Sequence, residues 1–408
     1  MRIIVTGELE RNRLTVFFRL LLAIPHFIWL ALWGIAVAVL ALVNWIATLV
    51  KGQSPAGLHR MLAMYVNYSA HVYAYVSIAA NRFPGFVGEP GYEVDIHIDG
   101  PARQSRVSVL FRLILALPAL FLAAVLVGGG LGGNYSSSSS SGSGSSSTTG
   151  AGIQAFGVLA ACALIAWFYS LARGRAPEGV TRLSWYSLHY AAQTYSYLLL
   201  LTDRYPNSDP GVLGVPRPAP PHPIVLRREE DTLERSRVTV FFRLLLAFPH
   251  IVWIILWSVL VIFAVIANWL VTLIAGRSPT GLHNFLAAFQ RYGVHVQAFI
   301  TLVANPFPGF TGAPGYPVDV EIAPPEPQRR LWTAFRIILA VPALIIQSGL
   351  NVALYVVAIL GWFASLFTGR MPRGLRNLGA FTLRYGAQTS SFGYLLLTDR
   401  YPYAGPPA

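Results

Sequence analysis

Long apolar stretches dominate the pattern of hydrophobic and polar positions along this chain. All of its Lys, Arg, Asp and Glu residues lie outside four windows. These windows are residues 20–50, 113–172, 244–276 and 337–369. Each window is too long for one membrane span of about 20 residues, and the shorter windows suit two spans joined by a tight turn. The pattern therefore predicts a helical hairpin in each window and about eight transmembrane helices in all.

The turn of the hairpin is indicated by an insertion in the second window. A Gly- and Ser-rich segment, residues 128–152, begins ten residues past Pro118. The equivalent point in the first window is about Gly34. Because a polar, flexible segment does not lie in hydrocarbon, we expect it at a hairpin tip in water. The hairpin of the first window is therefore predicted to consist of helices at roughly 14–33 and 35–50.

One motif opens each window and is repeated four times. It reads RLTVFFRLLLAIPH, RVSVLFRLILALPA, RVTVFFRLLLAFPH and RLWTAFRIILAVPA. Its second arginine is Arg19, Arg112, Arg243 and Arg336. The second half copies the first at an offset of 224 residues, since 243 − 19 = 224 and 336 − 112 = 224. The predicted units are repeat 1 (1–100), repeat 2 (101–207), a Pro-rich linker (208–223), repeat 3 (224–323) and repeat 4 (324–408).

A third helix follows each apolar window, at about 56–80 in repeat 1. Arg60, Asn67 and His71 are spaced by seven and four residues and so share one face, which predicts an amphipathic helix in the membrane interface. Short alternating segments precede each repeat and predict strands, which we expect to pair into one small sheet. These segments are residues 2–9, 92–98, 223–229 and 316–322. The predicted fold is an all-α integral membrane protein with short extramembrane β-strands.

Each repeat closes on a short signature, NRFPGF or NPFPGF in repeats 1 and 3 and TDRYP in repeats 2 and 4. Together with FFRLLLAIPH and a W-x6-G-x2-P-x-G turn, this pattern resembles the bacterial membrane family known as domain of unknown function 4389. The resemblance covers nearly the whole chain in four copies, and it implies a membrane fold. It implies no activity. Repeats 1 and 3 depart from the pattern, with Asn81 and Asn305 where the closing aspartate is expected.

Composition supports the membrane class, because the chain is 54% hydrophobic and only 12% charged. The net charge is +13, but Lys51 is the only lysine in the sequence. The chain therefore has no polybasic lysine tract that would indicate nucleic-acid binding. The first apolar stretch belongs to a repeat, and we expect it to remain in the mature protein.

With the third helices in the interface, every Lys and Arg falls on one side, which predicts a multi-pass protein of the cell membrane with cytoplasmic termini. Cys162 is predicted to be a packing residue.

Candidate chemistry is sparse, and no catalytic motif, metal-ligand cluster or cofactor-binding loop is recognisable. The most suggestive polar residues at membrane depth are two histidines and two asparagines. They are His26, Asn44, His250 and Asn268. Such residues are functional candidates by default, and the alternative is that they form hydrogen bonds between helices or fill the kinks at Pro25 and Pro249.

The repeated arginines have two interpretations. They either snorkel towards lipid phosphate at the cytoplasmic headgroups or belong to a specific partner site. If the third helix folds back under its window, Arg112 meets Asp203 and Arg336 meets Asp399. Repeats 1 and 3 offer no such aspartate, so Arg19 and Arg243 are then expected to remain available to lipid phosphate.

These observations favour a non-enzymatic integral membrane scaffold or a subunit that binds lipid or protein. Its expected partners are membrane lipids, anionic ones in particular, and a membrane protein, with no nucleic acid and no cofactor. The alternative is a small-solute transporter or channel along the pseudo-twofold axis between the halves. A third possibility, a lipid-modifying enzyme, lacks a set of acid, base and nucleophile. No carboxylate lies in any window, which argues against an acidic proton or sodium relay.

Overall fold

A computed structural model describes residues 1–6, 8–128, 157–213, 219–229 and 232–406. Most of these residues are helical, and short strands are few. The predicted Gly- and Ser-rich insertion, 128–152, lies outside the described residues apart from its first glycine. Part of the Pro-rich linker, 214–218, lies outside them as well.

The first apolar window forms one continuous helix, α1 (Arg13–Lys51), of 39 residues. The predicted hairpin with helices at 14–33 and 35–50 is therefore wrong. Gly34 lies inside α1 and causes no break, because the flanking residues continue one helical pattern. Buried side chains recur along a single face at spacings that are three, four or sums of the two. They are Val16, Arg19, Ala23, His26, Val37, Asn44 and Thr48.

The other repeats contain the same long element with a break near its start. In repeat 3 it consists of α7 (Arg237–Phe241) and α8 (Arg243–Ala275), and in repeat 4 of α10 (Arg330–Ala334) and α11 (Arg336–Thr368). Among the described residues, α1, α8 and α11 are long and apolar enough to cross a membrane. The prediction of about eight spans depended on the hairpins and loses its basis with them.

In repeat 2 the long element is interrupted by the insertion. It consists of α3 (Arg106–Leu110), α4 (Arg112–Val127) and α5 (Val158–Arg173). Gly128 and Gly157 lie in contact, since a Cβ on Gly157 would come within 2.2 Å of the Gly128 Cα. The insertion therefore leaves and rejoins the long element at one point. Cys162 is buried in the core, which confirms it as a packing residue.

The long elements of one half run antiparallel, and their ends are tied together. In each case a tryptophan near the end of one element donates its indole N–H to a carbonyl oxygen at the start of its neighbour. The pairs are Trp45–Val109, Trp167–Val16, Trp269–Thr333 and Trp362–Val240, with distances of 2.9–3.1 Å. A sequence has no signature for such backbone acceptors, so this seam was not predictable.

A shorter helix of 21 residues runs back along each long element. These helices are α2 (Ala56–Val76), α6 (Glu178–Leu198), α9 (Thr280–Ile300) and α12 (Arg373–Gly393). The third helix predicted at about 56–80 is thus confirmed. Most residues of α6 and α12 are buried within the protein, so these two helices lack the broad exposed face of a surface helix; their place in the membrane interface stays a prediction.

The predicted strands are present as β1 (Arg2–Val5), β2 (Val94–His97), β3 (Ile224–Arg228) and β4 (Val318–Ile322). Within the described ranges they form two antiparallel pairs, β1 with β2 and β3 with β4. The single sheet expected from the sequence is wrong, because each pair joins the two strands that flank repeat 1 or repeat 3. The molecule thus has a layer of long elements, a layer of short helices, and outer sheets and loops.

Candidate lipid-facing surface and buried arginine sites

The second arginine of the repeated motif is buried in all four repeats, with 1–2% of its surface exposed. Snorkelling to the headgroups is therefore wrong as an account of this residue. Each guanidinium lies over an aromatic ring of the short helix of its own repeat, at 4.1–4.7 Å from the ring centroid. The pairs are Arg19–Tyr75, Arg112–Tyr197, Arg243–Phe299 and Arg336–Phe392.

In repeats 1 and 3 the hydrogen-bond acceptors are mostly carbonyl oxygens. Arg19 Nη1 donates to the carbonyl oxygens of Tyr75 at 2.9 Å and Ala80 at 3.0 Å. Arg243 Nη2 donates to the carbonyl oxygen of Asn305 at 3.1 Å and to its side-chain oxygen at 3.3 Å. The expectation that these two arginines remain available to lipid phosphate is wrong, because the backbone after the short helix encloses both guanidinium groups.

In repeats 2 and 4 the structure brings arginine and aspartate together. Arg112 Nη2 lies 2.9 Å from Asp203 Oδ1, and Arg336 Nη2 lies 2.7 Å from Asp399 Oδ1. A glutamine oxygen completes each site. It belongs to Gln104, at 2.6 Å from Arg112 Nη2, and to Gln328, at 2.9 Å from Arg336 Nη2. The two carboxylates differ in exposure, since the Asp203 side chain is 41% exposed and that of Asp399 15%.

Each short helix ends in a turn, which in repeats 1, 3 and 4 leads to a carbonyl oxygen that accepts a hydrogen bond from the buried arginine. The central residue of the turn has a positive φ of 56–64°, although it is not glycine. These residues are Ile78, Leu200, Leu302 and Leu396. A left-handed backbone at such residues costs of order 1–2 kcal/mol. The surrounding hydrogen bonds hold it in place, including one from Asn44 Nδ2 to the Leu199 carbonyl oxygen at 3.0 Å.

The four candidate polar residues of the apolar windows all form hydrogen bonds inside the protein. Asn268 Nδ2 donates to the Leu395 carbonyl oxygen at 3.0 Å, as Asn44 does to Leu199. His26 Nδ1 lies 2.7 Å from the Tyr68 hydroxyl, and His250 is paired with Tyr292 in the same way. His26 and Asn44 are 18 residues apart on α1, about 27 Å along the helix. The structure thus places them in separate packing contacts.

Sequence reasoning missed a buried histidine–aspartate pair in repeats 1 and 3. His71 Nε2 lies 2.7 Å from Asp95 Oδ1, and His295 Nε2 lies 2.9 Å from Asp319 Oδ1. Burial lowers the pKa of both histidines, and the hydrogen-bonded carboxylate opposes that effect. The signal was present in the sequence, because histidine and aspartate recur at the same offset of 24 residues in both repeats.

The outer face of the long elements is apolar along its whole length. In their described parts, every exposed residue between the terminal charges is aliphatic or aromatic. The segments concerned are 14–50, 113–127, 158–172, 244–275 and 337–367. The polar side chains of these segments point inward or are partly covered, so this face offers water almost no hydrogen-bonding group.

Exposed cations stand at both ends of every long element. Those at the starts are Arg13, Arg106, Arg237 and Arg330, and those at the ends are Lys51, Arg173, Arg277 and Arg370. Several of the first group also bind the end of the neighbouring element, as Arg106 Nη2 does with the Val50 carbonyl oxygen at 3.1 Å. A cation at the negative end of a helix dipole is favourable. We call these eight residues the cationic rim.

An apolar outer face, a cationic rim and a helical repeat are the features of a membrane-associated helical protein. The chain belongs to the family described as DUF4389, a domain of unknown function, which matches residues 13–88, 154–208, 237–311 and 330–404. These four matches correspond to the four predicted repeats. No curated protein and no solved structure matches the chain.

Proposed function

We propose that the protein is a non-enzymatic scaffold of the cell membrane. Its apolar face is embedded among lipid chains, its cationic rim binds anionic headgroups, and its polar layer and both termini face the cytoplasm. There the polar layer is available to a protein partner. The observation that carries the proposal is the apolar outer face, because exposed apolar patches far larger than a few hundred Å² mark interaction or membrane sites.

The distribution of hydrogen bonds supports a scaffold over a transporter. A transport path needs polar side chains that face a shared cavity. The four candidate residues instead bind the backbone or a tyrosine next to them, with distances of 2.7–3.0 Å. The buried arginines likewise have their partners within the fold. These contacts stabilise the packing of the repeats and leave the outer surface for binding.

The proposal is tested by extracting the full chain from membranes into polymer nanodiscs, which retain the surrounding lipids, and measuring those lipids by mass spectrometry. We expect anionic lipids to be enriched relative to the bulk membrane. Each exposed cation near the headgroups contributes about 1 kcal/mol of attraction to an anionic surface. A variant with Gln in place of Arg13, Arg106, Arg237 and Arg330 is therefore expected to lose most of the enrichment.

A charge-matched control changes four exposed arginines outside the rim to glutamine. They are Arg2, Arg60, Arg82 and Arg227. This control is expected to retain the enrichment, because its net charge equals that of the rim variant but its substitutions lie on the polar layer. Equal loss in both variants would mean that net charge alone attracts lipid. Recovery of the chain in the soluble fraction, without lipid, would refute the membrane scaffold.

A further inference from the structure

We infer that the long elements lie flat in the membrane, within one leaflet, and do not cross it. The occupant of the apolar face is then the acyl-chain region of a single leaflet, and the short helices, sheets and loops stand outside the hydrocarbon. This inference rests on the proposed function, because it requires the apolar face to be in a membrane.

Helix length is the first argument. The 39 residues of α1 give a length of about 58 Å, against a hydrocarbon core of about 30 Å. Exposed side chains are apolar from Leu14 to Val50, so this length is nearly all lipid-like surface. A crossing helix would need a tilt of about 55–60° to bury it, beyond the usual range of 0–40°. A helix that lies in the plane buries the whole face without tilting.

The loop of residues 81–91 gives the second argument. It has no helix or strand, it carries exposed Arg82 and Glu89, and it lies beside the middle of α1. There the Trp29 indole N–H donates to the Phe86 carbonyl oxygen at 2.9 Å, and His26 stacks on the Phe86 ring at 4.4 Å. Irregular backbone does not occur in contact with lipid hydrocarbon, and charged side chains there are rare and costly.

No placement of a crossing α1 avoids such a conflict. A core of about 20 residues that excludes positions 26–29 must begin near residue 30. It then leaves the exposed apolar residues from Leu14 to Ile28 in water. That core would also lie beside an exposed charge of α2, Arg60. Arg60 follows Ser54, which donates a hydrogen bond to Asn44 of α1, and precedes Tyr65, whose hydroxyl lies next to Gly34 of α1. Arg60 is therefore next to the part of α1 between Gly34 and Asn44.

The cationic rim is the third argument. Because neighbouring long elements are antiparallel, a crossing arrangement would put half of the rim on each side of the membrane. Exposed Lys and Arg next to membrane segments are normally concentrated on the cytoplasmic side. In the flat arrangement the whole rim lies at one depth, next to the headgroups of the cytoplasmic leaflet.

The depth of α1 distinguishes the two arrangements. Single cysteines are introduced in a Cys162→Ala background and labelled with a nitroxide, and the full chain is reconstituted in phosphatidylglycerol and phosphatidylethanolamine vesicles. The labelled positions are exposed and follow one another at spacings of seven residues, with a drift around the helix of only about 20° per step. They are Leu14, Leu21, Ile28, Ile35 and Leu42. Electron paramagnetic resonance then compares the accessibility of each label to oxygen and to a water-soluble nickel complex.

Over these positions α1 extends about 42 Å. The flat arrangement predicts a similar depth for all five labels, about 5–10 Å below the headgroups, with no maximum in the middle of α1. A label at Glu89 serves as the control and is expected to be fully accessible to nickel. A depth profile with its maximum near Ile28 or Ile35 and shallow ends would overturn the flat arrangement while leaving the membrane scaffold intact. Nickel access at all five positions would overturn both proposals.

Discussion

Loss of the Asp399 carboxylate tests how the buried arginines are stabilised. In the variant Asp399→Ala the guanidinium of Arg336, 1% exposed, keeps its hydrogen bonds to the Thr398 carbonyl oxygen at 2.8 Å and to Gln328. It loses the carboxylate at 2.7 Å, which is its only anionic partner among the residues that the structure describes. Breaking a buried ion pair costs about 3–5 kcal/mol, and the retained bonds place the expected loss near the lower end, at about 3 kcal/mol.

The equivalent pair in repeat 2 provides a graded comparison. The Asp203 side chain is 41% exposed, so water already screens its interaction with Arg112 and can replace it. Asp203→Ala is therefore expected to cost about 1 kcal/mol. As a control, the exposed pair of Glu234 and Arg370, at 3.2 Å, is expected to contribute less than about 0.5 kcal/mol.

The assay is the free energy of unfolding by urea in detergent micelles, measured for both single variants and the double variant of each pair. For Arg336→Met and Asp399→Ala the double variant should lose at least about 1 kcal/mol less than the sum of the two single losses. Additive losses, or an Asp203→Ala variant as unstable as Asp399→Ala, would refute the argument that burial sets the strength of these pairs.

Three further predictions concern other parts of the molecule. Gly88→Ala should destabilise the fold by about 2 kcal/mol or more, because Gly88 has φ +72° and a Cβ there would lie 2.4 Å from a backbone oxygen. The control is Gly85→Ala, whose Cβ would meet nothing within 4 Å. It should cost less than about 0.5 kcal/mol in the same urea assay. Burial lowers the pKa of His189 from 6.5 to about 4, so the folded state resists protonation and the free energy of unfolding should fall by up to about 3 kcal/mol as the pH is lowered from 6.5 to 4. His189→Gln should flatten that dependence, measured as melting temperature against pH, and an unchanged slope would contradict it. Deleting residues 135–149 should leave the melting temperature nearly unchanged, because loop closure depends weakly on length; a marked fall would show that the insertion packs on the fold.

Repetition made much of this fold predictable from the sequence. The offset of 224 residues defined the halves, the Gly-x2-Pro turn after each window located the short helices, and alternation located the strands. The aspartate of TDRYP was enough to predict the pairs of Arg112 and Arg336. A charged residue that must be buried needs an opposite charge, and only one such residue recurs at the right place in repeats 2 and 4.

The continuous long helices and the backbone contacts of Arg19 could not be predicted, because they depend on how the chain packs and not on which residue types it contains. The hairpin was predicted from the thickness of a bilayer, and that arithmetic assumes that an apolar helix crosses the membrane. The polar insertion after Gly128 favours a turn at that point, but a segment whose ends meet can leave a helix without reversing it. The cage around Arg19 consists of backbone carbonyl oxygens, which every residue has, so no sequence pattern predicted it.

The long elements are inferred to lie along the membrane surface. Electron cryo-microscopy of the full chain in a lipid nanodisc, with a bound antibody fragment to add mass, would show their direction. We predict four elements parallel to the disc plane, within one leaflet, with the short helices and both sheets above the headgroups. Long elements that run from one face of the disc to the other would contradict the account.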